Sequence, residues 1–238
     1  MKNKIIKYQQ KVLKVLTGRI DEFYLAGGTA LSLFYFQHRL SEDLDFFTRL
    51  FDYKKIKEVI RYLEGALNKK IDLVGSNFDQ KTAQIAVYNI RFAARNALKI
   101  DFVEDTVSLL KKTRVVDGIH ILSLEDIYLR KLYALAGIVR AVDETGRGKF
   151  LGGRADVKDF YDVYYLSHTF IPLSKFLPEY CDRAMIEAII RWYRTFDRMS
   201  MTDGVLGLLA ARTADYKAQE KHFKREIDKL IETAIGGI

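Results

Sequence analysis

Apolar residues recur at helical spacing over the first sixteen positions, where Ile5, Tyr8, Val12, Val15 and Leu16 interleave with lysines. That spacing predicts an amphipathic helix. A leader peptide would instead carry an unbroken apolar stretch and a small-residue cleavage site. The short apolar run Phe23 to Ala26 closes on Gly27-Gly28, and Thr29 to Phe36 continues as an apolar helix, giving strand, glycine turn, helix. Asp43-Leu44-Asp45-Phe46-Phe47 alternates carboxylates with apolar side chains. This is the period of a half-buried strand and puts both aspartates on one face. A basic amphipathic helix over Tyr53 to Leu67 precedes three strand candidates: Ile71 to Val74, Ala83 to Phe92 and Leu98 to Val103.

From Ser123 the pattern turns helical. Ser123-Leu124-Glu125-Asp126 resembles a capping box and opens a helix expected to reach about Val142. The change of pattern predicts a boundary between a first domain over 1–120 and a second over 121–238. Thr145 to Arg154, rich in glycine and basic residues, reads as a flexible loop, and Asp156 caps a helix through Leu166. Ile171 to Leu177, flanked by Pro172 and Pro178, reads as a connector to helices over Arg183 to Phe196, Val205 to Arg212 and Tyr216 to Ala234. The expected fold class is α/β (α+β), a mixed-sheet domain followed by a helical one that closes a cleft.

Composition narrows the classes of function. With 238 residues, 49% of them hydrophobic, and only 2 prolines, the chain buries a real core and is neither disordered nor collagen-like. A net charge of +8 favours a polyanionic partner such as nucleic acid or nucleotides. Cys181, the single cysteine, excludes an intramolecular disulfide and a multi-cysteine zinc site. No apolar run is long enough to span a bilayer, so a cytoplasmic protein without a membrane partner is expected.

Three aspartates carry the chemistry. Asp43 and Asp45 converge on one point and repel unless a cation sits between them, and a hard divalent ion with oxygen ligands, Mg²⁺ with Mn²⁺ as the substitute, suits the pair. The competing explanation of an Asp-x-Asp is a solvated strand edge, against which stands the apolar context of Leu44, Phe46 and Phe47. In Lys99-Ile100-Asp101-Phe102-Val103, Asp101 alternates against apolar residues in the same way. Gly27, Gly28 and Thr29 form either a tight turn with Thr29 as N-cap or a phosphate cradle at a helix N-terminus. Taken together, the three acids behind that turn form a phosphoryl-transfer constellation. Lys131 lies within the apolar stripe of Leu124, Ile127, Leu135 and Ile138, where it needs a carboxylate or a phosphate, or else snorkels out of the core rim. Asp159 and Asp162 share one helix face. Arg147, Lys149 and Arg154, with Lys54, Lys55, Lys57 and Arg61, are candidate polyanion contacts or simply solvated faces.

The stretch Leu25-Ala26-Gly27-Gly28-Thr29-Ala30-Leu31, followed by His38-Arg39-x-Ser41-x-Asp43-Leu44-Asp45-Phe46-Phe47, resembles the AbiEii/AbiGii-type nucleotidyltransferase toxins of the DNA polymerase β-like superfamily. The likeness extends to Lys131 and Lys158-Asp159-x-x-Asp162, covering about residues 20 to 170. Fourteen residues separate Gly28 from Asp43, a long connection for that superfamily. The resemblance implies that Asp43, Asp45 and Asp101 act in catalysis and metal binding, with Asp101 a third ligand or the base. It further implies that Gly27, Gly28, Thr29, Arg39 and Lys131 bind NTP phosphate, and that Asp162 and Asp159 contribute to the cleft. The implied reaction moves NMP from an NTP to a hydroxyl acceptor, RNA and in particular tRNA, by the toxin of a toxin–antitoxin or phage-defence system with an antitoxin protein as partner. The alternatives are a non-catalytic nucleic-acid-binding or scaffold protein, and a transferase acting on a protein or small molecule.

Overall fold

The computed structural model describes residues 2–93, 96–142, 148–154, 156–208 and 215–236. The chain divides into two compact units, Met1–Ser123 and Leu124–Ile238.

The first unit is built on a seven-stranded mixed sheet. Its elements run α1 (Lys2–Leu16), β1 (Tyr24–Leu25), α2 (Gly27–Ala30), a π-helical turn (Leu31–Tyr35), β2 (Asp43–Thr48), α3 (Tyr53–Leu67), β3 (Ile71–Asn77), β4 (Ile85–Ala93), β5 (Asn96–Glu104), β6 (Arg114–Val116) and β7 (Ile119–Ile121). The sheet order is β3-β4-β5-β2-β1-β7-β6, with β2 parallel to β5 and antiparallel to β1. Alternation along β2 and β5 buries Leu44, Phe46, Leu98, Ile100 and Phe102, and the apolar sides of α1 and α3 (Val12, Leu16, Ile56, Leu63) are buried as well. Phe102 is the hub of this core, stacking on Phe46 at 5.6 Å and meeting Phe23 edge-on at 5.2 Å.

Two departures from the sequence-based expectation concern this unit. The helix expected over Thr29 to Phe36 starts earlier, at Gly27, and its second half winds as a π-turn. His38 and Arg39 lie in the segment beyond it. The β6–β7 hairpin was not anticipated, although Asp117-Gly118, with φ of 50° and 74°, is a strong two-residue hairpin signal. Through Leu25 and Ile121 this hairpin extends the sheet in parallel with β1.

The second unit comprises α4 (Leu124–Ala136), β8 (Gly137–Val142), β9 (Gly148–Gly152), α5 (Val157–Thr169), α6 (Leu173–Tyr180), α7 (Arg183–Thr195), α8 (Arg198–Gly207) and α9 (Tyr216–Gly236). Phe160 lies at its centre, with the rings of Trp192, Phe196 and Phe223 around it. Four expectations are corrected here. The helix expected to reach Val142 stops at Ala136, because Gly137 takes φ of 101° and the chain turns into β8, antiparallel to β9. The expected loop over Thr145 to Arg154 therefore contains a strand. Gly153 backs onto the α4 terminus so closely that a Cβ there would strike the Leu135 carbonyl. Ile171 to Leu177 is not a connector, since α6 runs through it and contains Pro178. Glu226 supplies what the local sequence lacks by accepting the Ser174 N–H and hydroxyl at the start of α6. The helix expected over Val205 to Arg212 instead begins at Arg198, with Asp197 capping the Met199 and Ser200 N–H groups. Of the basic loop candidates, Arg147 and the side chain of Lys149 lie outside the described residues.

Candidate active site

The alternation that buries one side of β2 and β5 presents polar groups on the other. In the parallel register, Asp43 pairs with Lys99 and Asp45 with Asp101, so four charged side chains leave the same face of two adjacent central strands. Lys99 Nζ donates to Asp101 Oδ2 at 2.9 Å and stands 3.6 Å from Asp43 Oδ2. Asp101 is the most enclosed of these, its side chain 11% exposed against 36% for Asp43 and 39% for Lys99. Burial raises the Asp101 carboxyl above the usual carboxylate range, with Asp43 adding to the shift and Lys99 opposing it. For Lys99 burial works the other way, but Asp101, Asp43 and Asp45 more than offset it, and its ammonium is held above the ordinary lysine value.

The turn after β1 is shaped around this face. Gly27 has φ of 67°, and any Cβ on it would collide with the Asp45 carboxylate. A Cβ on Gly28 would collide with the Arg39 guanidinium. Arg39 is buried and donates to the Leu40 carbonyl at 3.0 Å, so its described role is to fix the segment that leads into β2. Thr29 is neither an N-cap nor open to a ligand. It is fully buried, Ala26 stands at the cap position, and the Thr29 hydroxyl donates to the Asp43 carbonyl. The same carbonyl accepts from Gln9 Nε2 at 3.1 Å, and Gln9 also holds the Ser41 carbonyl at 2.9 Å. The backbone of Asp43 is thus pinned from α1 and from α2, which places the first carboxylate.

Lys131, Asp159 and Asp162 form a cluster within the second unit. The Lys131 ammonium lies 2.6 Å from Asp159 Oδ1 and 2.7 Å from Asp162 Oδ2, and Arg154 Nε reaches Asp159 Oδ2 at 2.5 Å. Both aspartates are fully buried. Burial pushes the Asp159 carboxyl up, yet Lys131 and Arg154 outweigh it and hold it below the usual range. Of the partners expected for a lysine in this apolar stripe, carboxylates from α5 are the ones described.

Lys99 and Gln9 were not assigned a role from sequence. Gln9 carries a faint signal, a polar residue beside the apolar stripe of α1. Lys99 has the same two-residue offset from Asp101 that links Asp43 to Asp45, which puts it on the carboxylate face. Asp43, Asp45 and Asp101 offer only oxygen donors, the chemistry of a hard divalent cation, and Asp101 Oδ1 is buried without a hydrogen-bond partner. Among the described residues, however, no three acid, imidazole or thiol groups stand at metal-holding spacing. The three-carboxylate ligand set expected from sequence is thus aligned on one face but not drawn together, with the Lys99 ammonium lying between Asp43 and Asp101. Among the described residues no helix is long and apolar enough to cross a membrane.

The chain matches the family described as nucleotidyl transferase AbiEii toxin, type IV toxin–antitoxin system, over residues 15–235. It is 31% identical over 170 residues to an uncharacterized protein of Aquifex aeolicus (strain VF5), covering 68% of this chain and 67% of that protein. The crystal structure of JHP933 from Helicobacter pylori matches with a TM-score of 0.60 at 18% identity, over 99% of this chain and 95% of that one. A second Helicobacter pylori structure, described as a candidate nucleotidyltransferase, gives 0.59 at 18% identity over 97% and 96% of the two chains. At such identity the two structures establish the fold alone.

Proposed function

Since the chain belongs to the AbiEii nucleotidyltransferase toxin family, we propose that it transfers NMP from an NTP to a hydroxyl of an RNA acceptor, tRNA in particular. It would act in the cytoplasm with Mg²⁺ and be restrained by an antitoxin protein. The observation that carries this reading is the register of β2 and β5, which sets Asp43, Asp45 and Asp101 on one face beside a glycine turn with no room for a side chain. The acceptor oxygen would bond to the α-phosphorus as the bond to the departing pyrophosphate breaks. Asp101, an enclosed carboxylate with a raised proton affinity, would orient the attacking hydroxyl or take its proton, as a third ligand or as the base. A divalent cation on Asp43 and Asp45, when bound, would neutralise phosphate charge and supply the positive centre on which leaving-group departure depends. The bare Cα atoms of Gly27 and Gly28 leave room for the Asp45 carboxylate and the Arg39 guanidinium, and the backbone of that turn would meet the triphosphate, while Thr29 and Arg39 serve by holding β2 and its approach in place.

The test is incubation of the protein with each α-labelled NTP, Mg²⁺ and total RNA. Label should enter small RNA. Salt should weaken labelling through release of counterions from RNA, given the net charge of +8, and chelation should stop it outright. Label entering protein with RNA inert would replace the RNA acceptor while sparing the transferase chemistry.

A further inference from the structure

Like charges gathered on one face of a sheet repel unless a cation lies among them. In this chain one of the side chains is that cation. Lys99 pairs with Asp43 across the ladder and precedes Asp101 by two residues, so it leaves the sheet on the carboxylate side. Its ammonium holds Asp101 Oδ2 at 2.9 Å and lies 3.6 Å from Asp43 Oδ2. The opposite oxygen, Asp101 Oδ1, is buried without a hydrogen-bond partner, so the carboxylate keeps acceptor capacity that Lys99 does not use.

We propose that Lys99 is a tethered counter-cation that competes with the divalent ion for the Asp43/Asp101 side of the site, and that the ion gains Asp101 only when the Lys99 side chain swings away. The proposal rests on the metal-binding reading above. Two cations sharing the same carboxylate oxygens repel at short range, so occupation by one weakens the other. Lys99 is able to leave. Its side chain is 39% exposed, and a flexible four-carbon stem lets the ammonium move into water while Asp101 stays enclosed. This accounts for an all-oxygen donor set, suited to a hard ion, that is aligned but not drawn together.

Mn²⁺ alone, titrated into the full-length protein with free ion followed by electron paramagnetic resonance, reads the competition without any turnover. Lys99→Met should bind Mn²⁺ about tenfold more tightly than the wild type, whereas Lys99→Arg, which keeps a cation, should not gain affinity. Equal or weaker binding by Lys99→Met overturns the competition and leaves the metal reading standing. Absence of Mn²⁺ binding from both proteins overturns the two together. Should Lys99→Met not fold, lysine-directed reductive methylation of the wild type, quantified by mass spectrometry, decides the matter. Added Mg²⁺ should speed labelling of Lys99, and an unchanged or slower rate overturns the proposal.

Discussion

The carboxylate of Asp45 lies against the Cα of Gly27, in space that a side chain at position 27 would have to occupy. Two demands meet at this one glycine. Its φ of 67° belongs to the left-handed region, which residues with a Cβ rarely adopt, and its bare Cα leaves room for the carboxylate. The turn and the second aspartate of β2 are therefore a single unit, built so that backbone and carboxylate face the same place.

Gly27→Ala should consequently lose both backbone ease and fit. A destabilisation of roughly 1–3 kcal/mol is expected from the strained conformation, read as a lower urea midpoint. Displacement of Asp45 should reduce Mn²⁺ binding in the same protein. A variant with wild-type stability and affinity would show that the contact imposes nothing.

Asp45→Asn keeps the volume and removes the charge. Nucleotidyl transfer should fall by roughly 100-fold or more, the scale on which loss of one electrostatic contributor acts in an active site. Far-ultraviolet circular dichroism and the melting temperature should stay close to wild type, because this side chain belongs to the polar face of β2 and not to its apolar one. Near-normal transfer would remove Asp45 from the proposed metal site.

Lys131→Met leaves Asp159 and Asp162 buried without their shared ammonium. Breaking such a buried pair costs about 3–5 kcal/mol, so the urea midpoint should drop sharply. Asp159 adds a pH dependence. Its folded carboxyl titrates below the ordinary value, so its stabilising contribution is complete above pH of about 4 and is lost as pH falls through the depressed value. A Lys131→Met protein that keeps its stability but loses transfer would instead favour direct contact with nucleotide phosphate.

His222 sets a second pH window. Its imidazole is buried and bonded to the Ser167 hydroxyl at 2.8 Å. Burial lowers its proton affinity, His168, Arg225 and Lys229 act in the same direction, and Glu226 opposes them. The unfolded chain therefore takes up the proton first, and stability should decline as pH falls below about 6.5. Urea unfolding at pH 7.5 and 5.5 should show the decline, and His222→Gln should flatten it over that interval. An unchanged slope in the variant would assign the effect to other groups.

Much of the candidate site was legible because it is written in local periodicity. Alternation along Asp43–Phe47 and Lys99–Val103 determines which side chains share a face of each strand, and it singled out all three aspartates. The apolar stripes of α1 and α3 and the cap at Asp156 are likewise local and are found where expected. The Asp117-Gly118 hairpin was equally local, since the dipeptide alone favours the two positive φ angles that the turn adopts. Its short strands, with three residues each, carry too little alternation to draw attention.

What the sequence by itself determined, then, is the set of elements with a clear period and the faces that carry charge. Tertiary structure decided which faces meet. Lys99 stands beside Asp43 because β5 enters the sheet parallel to β2, an arrangement chosen by burying Leu44, Phe46, Ile100 and Phe102 in one core, and no spacing within either strand specifies it. The same holds for the Thr29 hydroxyl on the Asp43 carbonyl, for Glu226 at the start of α6, and for Gly153 against the end of α4. Each joins groups brought together by packing, whose free energy depends on neighbours distant in the chain. Periodicity reports only the residue's own turn or strand.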